Sequence, residues 1–330
     1  MTAPTAFTRL RAEREEEWRR LDALVALCEK KSPRALSDED LMALPILYRG
    51  ALSSLSVARE TSLDLELVEY LESLCARAYF FLYGVRTSAG QRVLQFFARD
   101  WPDAVRGLWK ETLIALLIMI VGTIAGHLLV VADPSWYGAF VPSGLAGERD
   151  FSATREALRS TLYDDGGRMG LGMFATLLFT HNARIAIFCF ALGFAFAVPT
   201  VLLLVYHGAM VGAFFALFGS HGLSWELGGW LIIHGSTELF AIVLAGAAGL
   251  RIGWSVVFPG DATRIDAAAR AGRGAATAMV GVVVMLFAAG LLEGFGRQLV
   301  QDDYTRYGLG LTMLLVWCLY YYRPRAARHG

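Results

Sequence analysis

Trp230-Leu-Ile-Ile-His-Gly-Ser-Thr-Glu-Leu-Phe-Ala-Ile-Val-Leu-Ala-Gly-Ala-Ala-Gly-Leu250 decides the fold of this chain. The segment is apolar and, at about 1.5 Å of helix per residue, long enough to cross the ~30 Å hydrocarbon core of a bilayer. Yet it carries His234 and Glu238 inside it. Ionisable groups at that depth are costly and face a bundle interior or a cavity rather than lipid. Because the two stand four positions apart, a helix places them on one face, within reach of each other or of one shared partner.

The remaining sequence agrees with a membrane setting. Of 330 residues 55% are hydrophobic, with a mean hydropathy of +0.46, so several spans are expected. Thirty Lys and Arg balance thirty Asp and Glu. No basic excess, glycine-rich phosphate loop or aromatic-basic stripe argues for nucleic acid. Cys28, Cys75, Cys189 and Cys318 form no CxxC pair and read as small apolar residues. The opening run from Arg9 to Arg20 is charged and has no apolar h-region, so no cleavable signal is expected and the first span directs its own insertion.

Residues 1–110 hold 16 basic and 16 acidic side chains, with Leu10, Trp18, Leu21, Val25 and Cys28 at helical spacing. A second helix is announced by Ser37-Asp-Glu-Asp40 ahead of Leu41, Leu44, Leu47, Leu52 and Leu55, and a third runs from about Leu63 to Tyr83. Residues 1–88 are therefore read as a cytoplasmic three-helix domain. Residues 89–110 follow as an elbow: Leu94, Phe97, Trp101, Val105, Leu108 and Trp109 alternate with basic residues, which suits a helix lying in the membrane interface and bent at Pro102.

Residues 111–323 form the transmembrane bundle, with spans expected near 112–132, 184–206, 207–222, 228–250, 275–296 and 308–323. The run from Ile185 to Gly222 is tight for two crossings, so 207–222 is expected to be short or re-entrant, with Pro199, Gly208 and Gly212 as bend points. Residues 133–183 become an outer loop with an amphipathic stretch from Thr154 to Leu162, a turn at Asp164 to Gly167 and an apolar stretch from Met169 to Phe179. Arg251, Arg264, Arg270 and Arg273, together with the basic tail 324–330, place both termini in the cytoplasm. The fold class is all-α: a polytopic membrane helical bundle with an N-terminal helical domain and an interfacial helix.

From His181 onward a known pattern emerges: His181-Asn182, Gly193, Pro199-Thr200, Gly208-Ala-Met-Val-Gly212, His234-Gly-Ser-Thr-Glu-Leu239, the run from Ala245 to Gly253, and Glu293. Phe96-Phe97, Trp101-Pro102 and Arg106 extend it upstream. The chain resembles the stage II sporulation protein M family over about residues 90–325. That resemblance implies a bacterial inner-membrane protein without a settled activity, whose namesake anchors two cell-wall hydrolases during engulfment. Many relatives belong to bacteria that do not sporulate and are encoded near AAA-type ATPases, which suits an envelope role. His207 stands where the family pattern has an Asn.

His234, Glu238, Glu293, Asn182, His207 and Thr200 are the candidate intramembrane cluster. Three chemistries are open to it. Carboxylate and imidazole could hold zinc, with His234, Glu238 and Glu293 as ligands, although H-x-x-x-E is not the HExxH of zinc proteases. They could relay protons along an ion or solute path. Or they could join helices as polar glue. Small residues at Gly208 and Gly212, at Ala245, Gly249 and Gly253, and at Gly290 and Gly294 mark helix-packing faces or a homodimer face. The reading is a non-enzymatic platform in the bilayer, without a cofactor, recruiting protein partners through residues 1–88. Its competitor is an ion- or proton-coupled transporter or channel.

Overall fold

In the computed structural model, residues 6–31, 36–61, 65–83, 89–163 and 167–323 are described; side chains at 6–13, 31, 61, 167–175, 178 and 292–299 are not. The expected turn at Asp164 to Gly167 and the tail 324–330 thus fall wholly or largely outside the described residues. The chain is all-helical and divides into two units, Met1–Ala89 and Gly90–Gly330.

The first unit packs α1 (Ala6–Lys31), α2 (Asp38–Thr61) and α3 (Leu65–Tyr83) around Trp18, Leu21, Val25, Leu44, Leu55, Leu71 and Leu74. Ser37 starts α2 as a capping box: its hydroxyl accepts from the Asp40 amide at 3.2 Å and donates to the Asp40 carboxylate at 2.8 Å. By length and hydropathy Asp38–Glu60 would also qualify as a span. Its apolar stripe is already used, however, because Leu44, Tyr48, Ala51, Leu55 and Ala58 are buried in the three-helix core.

The second unit opens with the elbow. Helix α4 (Ala89–Gln95) runs through a π-helical turn, Phe96–Asp100, into α5 (Trp101–Gly107). Pro102 follows directly on the π-turn, in which the Trp101 N–H bonds the Phe96 carbonyl five residues back, so the helix runs on through the proline. The expected bend at Pro102 instead comes at Leu108 (φ −98°, ψ 13°), which separates α5 from α6 (Trp109–Ala132). Trp101, Pro102, Val105 and Leu108 are buried, with α5 packed on the last two helices, while Val93, Leu94, Phe97 and Trp109 stay exposed, as an amphipathic interfacial segment requires.

Five helices follow α6 through the bundle: α10 (Gly167–Ala191), α11 (Val198–Ser220), α12 (Ser224–Val257), α13 (Arg264–Leu299) and α14 (Asp303–Tyr322). Length and hydropathy select Trp109–Ala132, Val198–Ser220, Ser224–Val257 and Arg264–Leu291 here, plus the shorter apolar stretch Phe179–Phe194. Helix α12 is the axis. It touches α6, α10, α11, α13 and α14, and 72% of its apolar window is buried against 28% in α6.

Two expected boundaries are corrected. The spans 184–206 and 207–222 do not exist as drawn, and the outer loop does not extend to 183. The chain descends in α10 from Gly167 and turns through Leu192–Phe194, with Phe196 and Ala197 at φ 57° and 61°; α11 then rises as a full 23-residue helix. The reason is Pro199. It needs no N–H in the first turn of a helix, so it starts α11 rather than kinking a span. The short apolar element is accordingly the end of α10, and 207–222 is the interior and end of a complete helix.

Between α6 and α10 the chain builds a cap from α7 (Tyr137–Phe140), α8 (Ser143–Ala146) and α9 (Arg155–Tyr163). Tyr137, Leu145, Leu158 and Leu162 pack onto Met210, Leu217, Phe218 and Leu227 of α11 and α12. Arg306, wholly buried at the start of α14, fastens the cap by donating to the carbonyls of Leu162 (3.2 Å) and Val300 (3.0 Å). The Tyr163 hydroxyl donates to Asp303 at 2.7 Å. Burial first, and that carboxylate second, push the phenol well above its ordinary range.

Candidate functional site

Three helices bring the polar groups together. On α10, Asn182 lies nine residues before the end at Ala191; on α11, His207 lies nine residues after the start at Val198. At 1.5 Å per residue both sit about 14 Å in from that end of the bundle, near mid-depth. Helix α12 contributes His234 and, one turn further in, Glu238. All four are buried, at 3%, 1%, 2% and 3% exposure respectively.

The Asn182 side chain hydrogen-bonds the Glu238 carboxyl. Among the described residues its Oδ1 meets no donor and neither ring nitrogen of His207 has a partner. The His207 ring instead stacks near that of His181, centroids 6.1 Å apart and planes 24° apart. The edge of Trp230 lies against His234, 5.0 Å away at 81°.

These groups line one cavity of about 60 Å³, room for a few waters or a small solute. Asn182, His207, His234 and Glu238 form its polar part, the floor; apolar and aromatic residues including Met210, Phe214, Phe218 and Trp230 form its walls; and Leu145, Arg149 and Leu162 of the cap region complete the lining. Below the floor the bundle is sealed. Thr200 Oγ1 donates to the Cys189 carbonyl at 2.7 Å, and Gly246 and Gly249 lie against Leu204 and Cys189 with no space for a side chain.

Four of the six candidate polar residues therefore share the cavity. Thr200 does not: its hydroxyl is spent on Cys189, two turns below His207. Glu293 lies in α13, and its side chain falls outside the described residues. Among the described residues no three His, Cys, Asp or Glu side chains come close enough to hold a metal ion. The cavity also draws on Phe214, Phe215 and Arg149, which the reading of the sequence passed over. A signal was present, since His207, Val211, Phe214 and Phe218 recur at 4-3-4 spacing and so share one face of α11.

The small-residue faces are occupied within the chain. Gly208 and Gly212 lie on the backbone of Met119 and Thr123, while Gly122 and Gly126 lie reciprocally on Val205 and Ala209. Gly249 and Gly253 meet Cys189 and Ala197, Ala245 is fully buried, and Gly290 faces Phe179; Gly294 is outside the side chains described.

The spans, the buried polar floor and the cap define an integral membrane protein of the lipid bilayer, helical throughout, with a pocket reaching into its core. The chain belongs to the Stage II sporulation protein M family, whose sequence profile matches residues 115–296. That range begins in α6, ends in α13 and contains the whole cavity. Residues 8–84 match a domain of unknown function, DUF8413. No curated protein and no solved structure matches the chain.

Proposed function

We propose that the chain is a solute-binding membrane protein of the transporter type, whose pocket is reached from the cap end. The supporting observation is the cavity itself. Polar residues used only as glue would satisfy one another, whereas among the described residues Asn182 Oδ1 and both nitrogens of His207 have no partner and lie beside open space. Buried orphans of this kind call for water or a ligand.

Thiol accessibility tests the reading. In a Cys318→Ala background, Val211→Cys on the cavity wall should react with a small water-soluble thiol reagent in intact membranes, and Leu204→Cys below the floor should not. An unreactive Val211→Cys would return the cluster to a packing role.

A second reading, a platform that recruits partners through residues 1–88, is favoured by one observation. Met42 and Ile46 on α2 and Phe80 and Tyr83 on α3 stay 60–77% exposed beside a fully formed core. Removing residues 1–88 should then strip every partner from the purified membrane complex. We further infer that both termini are cytoplasmic in a bacterial inner membrane, since Arg251, Arg264, Arg270 and Arg273 crowd the end from which α5 leads into the bundle.

A further inference from the structure

We propose that the cavity selects a small organic monocation, an alkylammonium in chemical class, with its charged head on Glu238 and its alkyl body among Phe214, Phe215 and Trp230. The inference rests on the reading above that solutes reach the cavity.

The floor is rich in acceptors. Glu238 offers a carboxyl, Asn182 offers an Oδ1 without a partner among the described residues while its amide is turned to Glu238, and His207 offers ring nitrogens likewise without a partner there. Such a floor suits a ligand with several N–H donors, and an ammonium has them. Among the described residues the hydrogen-bond partner of the Glu238 carboxyl is Asn182, a neutral amide.

Arg149, which lines the cavity from the cap region, donates from Nε to Thr161 Oγ1 at 3.1 Å and from Nη1 to the Leu145 carbonyl at 3.4 Å. An anion would have to be held beside a buried carboxyl, which is strongly unfavourable in a low-dielectric site. A neutral alcohol would satisfy part of the floor and gain nothing from its charge.

The walls favour the same class. Phe214, Phe215 and Trp230 border the space above the carboxyl. Aromatic faces attract cations, most strongly where water is excluded, and cover an alkyl chain at the same time. The volume of about 60 Å³ limits the ligand to a head and one or two carbons, since a cavity that takes a benzene measures roughly 150 Å³.

The experiment uses the full-length protein in nanodiscs with ethylammonium, ethanol and acetate at matched ionic strength, sodium chloride being the blank. Ethylammonium should raise the thermal midpoint saturably and quench tryptophan emission, and the two neutral or anionic probes should not. Glu238→Gln should weaken it more than tenfold. Trp230→Leu should weaken it about tenfold, and Trp230→Phe, which keeps a ring, by about threefold or less; this pair preserves the test if Glu238→Gln fails to fold. Equal or stronger effects of ethanol or acetate would overturn the cation class while leaving solute binding intact. Stabilisation by sodium alone, or by none of the probes, would also overturn it. Failure of the Val211→Cys labelling would instead remove the solute-binding reading beneath both.

Discussion

The indole of Trp101 fills the notch over Gly281, so that any side chain on Gly281 would occupy the space of the ring. This contact joins the elbow to α13. Around it the indole also meets Trp317, Tyr320 and Tyr321 of α14, with ring centroids 5.4–5.9 Å apart.

Gly281→Ala is therefore expected to destabilise the membrane unit by about 1–3 kcal/mol, the usual cost of overpacking a closed site. Gly274→Ala, one to two turns away where nothing lies within 4 Å, should be neutral or stabilising because it removes helix-weakening glycine. Thermal midpoints in mild detergent compare the two, and Trp101→Phe should recover part of the loss in Gly281→Ala.

The α6–α11 crossing depends on Gly122, Gly126, Gly208 and Gly212 meeting backbone on the opposite helix. Gly126→Ala and Gly212→Ala should each lower stability by about 1–3 kcal/mol. Combined, they should cost less than their sum, because either one already forces the same two helices apart. Gly308→Ala, with open space around it, is the control in the same melting assay.

Asn182 hydrogen-bonds the buried Glu238 carboxyl. Asn182→Leu leaves that carboxyl without its amide and should cost roughly 1–3 kcal/mol, the penalty of an orphaned buried polar group. The double variant Asn182→Leu with Glu238→Leu should recover stability relative to the single change. A double-mutant cycle of melting midpoints measures the coupling.

Arg77 clamps α1 to α3, reaching Asp22 at 2.7 Å and Glu29 at 2.9 Å. Its hydrogen bond, aided by its charge and only partly opposed by desolvation, holds the Glu29 carboxyl below the usual carboxylate range. A depressed folded pKa contributes stability that is fully present above the ordinary value of about 4.3 and is lost as pH falls through the folded value. Wild type should thus exceed Glu29→Gln in N-terminal melting at pH 7, by no more than about 1 kcal/mol for so exposed a pair, and the gap should narrow as the pH falls below the ordinary carboxylate range.

The central span could be read from residues 230–250 because apolar length and the four-residue spacing of His234 and Glu238 act within one helix. The partners of that pair are another matter. Asn182 and His207 reach it only through the turn at 192–197, whose two residues of positive φ follow no local rule of composition. Hydropathy across 184–222 is nearly uniform, so it cannot place a helix boundary; Pro199 does, and it reads equally as a kink or a start until the preceding turn is seen. The capping role of Ser37 was legible because a cap is a matter of three neighbouring residues. The aromatic wall was harder to see, since Phe214 and Phe218 look like lipid-facing residues until the cap covers them.

Arg106 donates to the carbonyls of Tyr321 and Arg323 at 3.2 and 3.3 Å, residues 215 and 217 positions further along the chain. This fixes an order of biogenesis. The elbow leaves the ribosome early, and its final seat does not exist until α14 has been made, roughly 10–40 s later at ordinary synthesis rates. During that interval Trp101 has no aromatic partners on α14 to receive it. A chain that stops short of Tyr321 would leave Arg106 without both of these carbonyl acceptors and the elbow without that part of its seat.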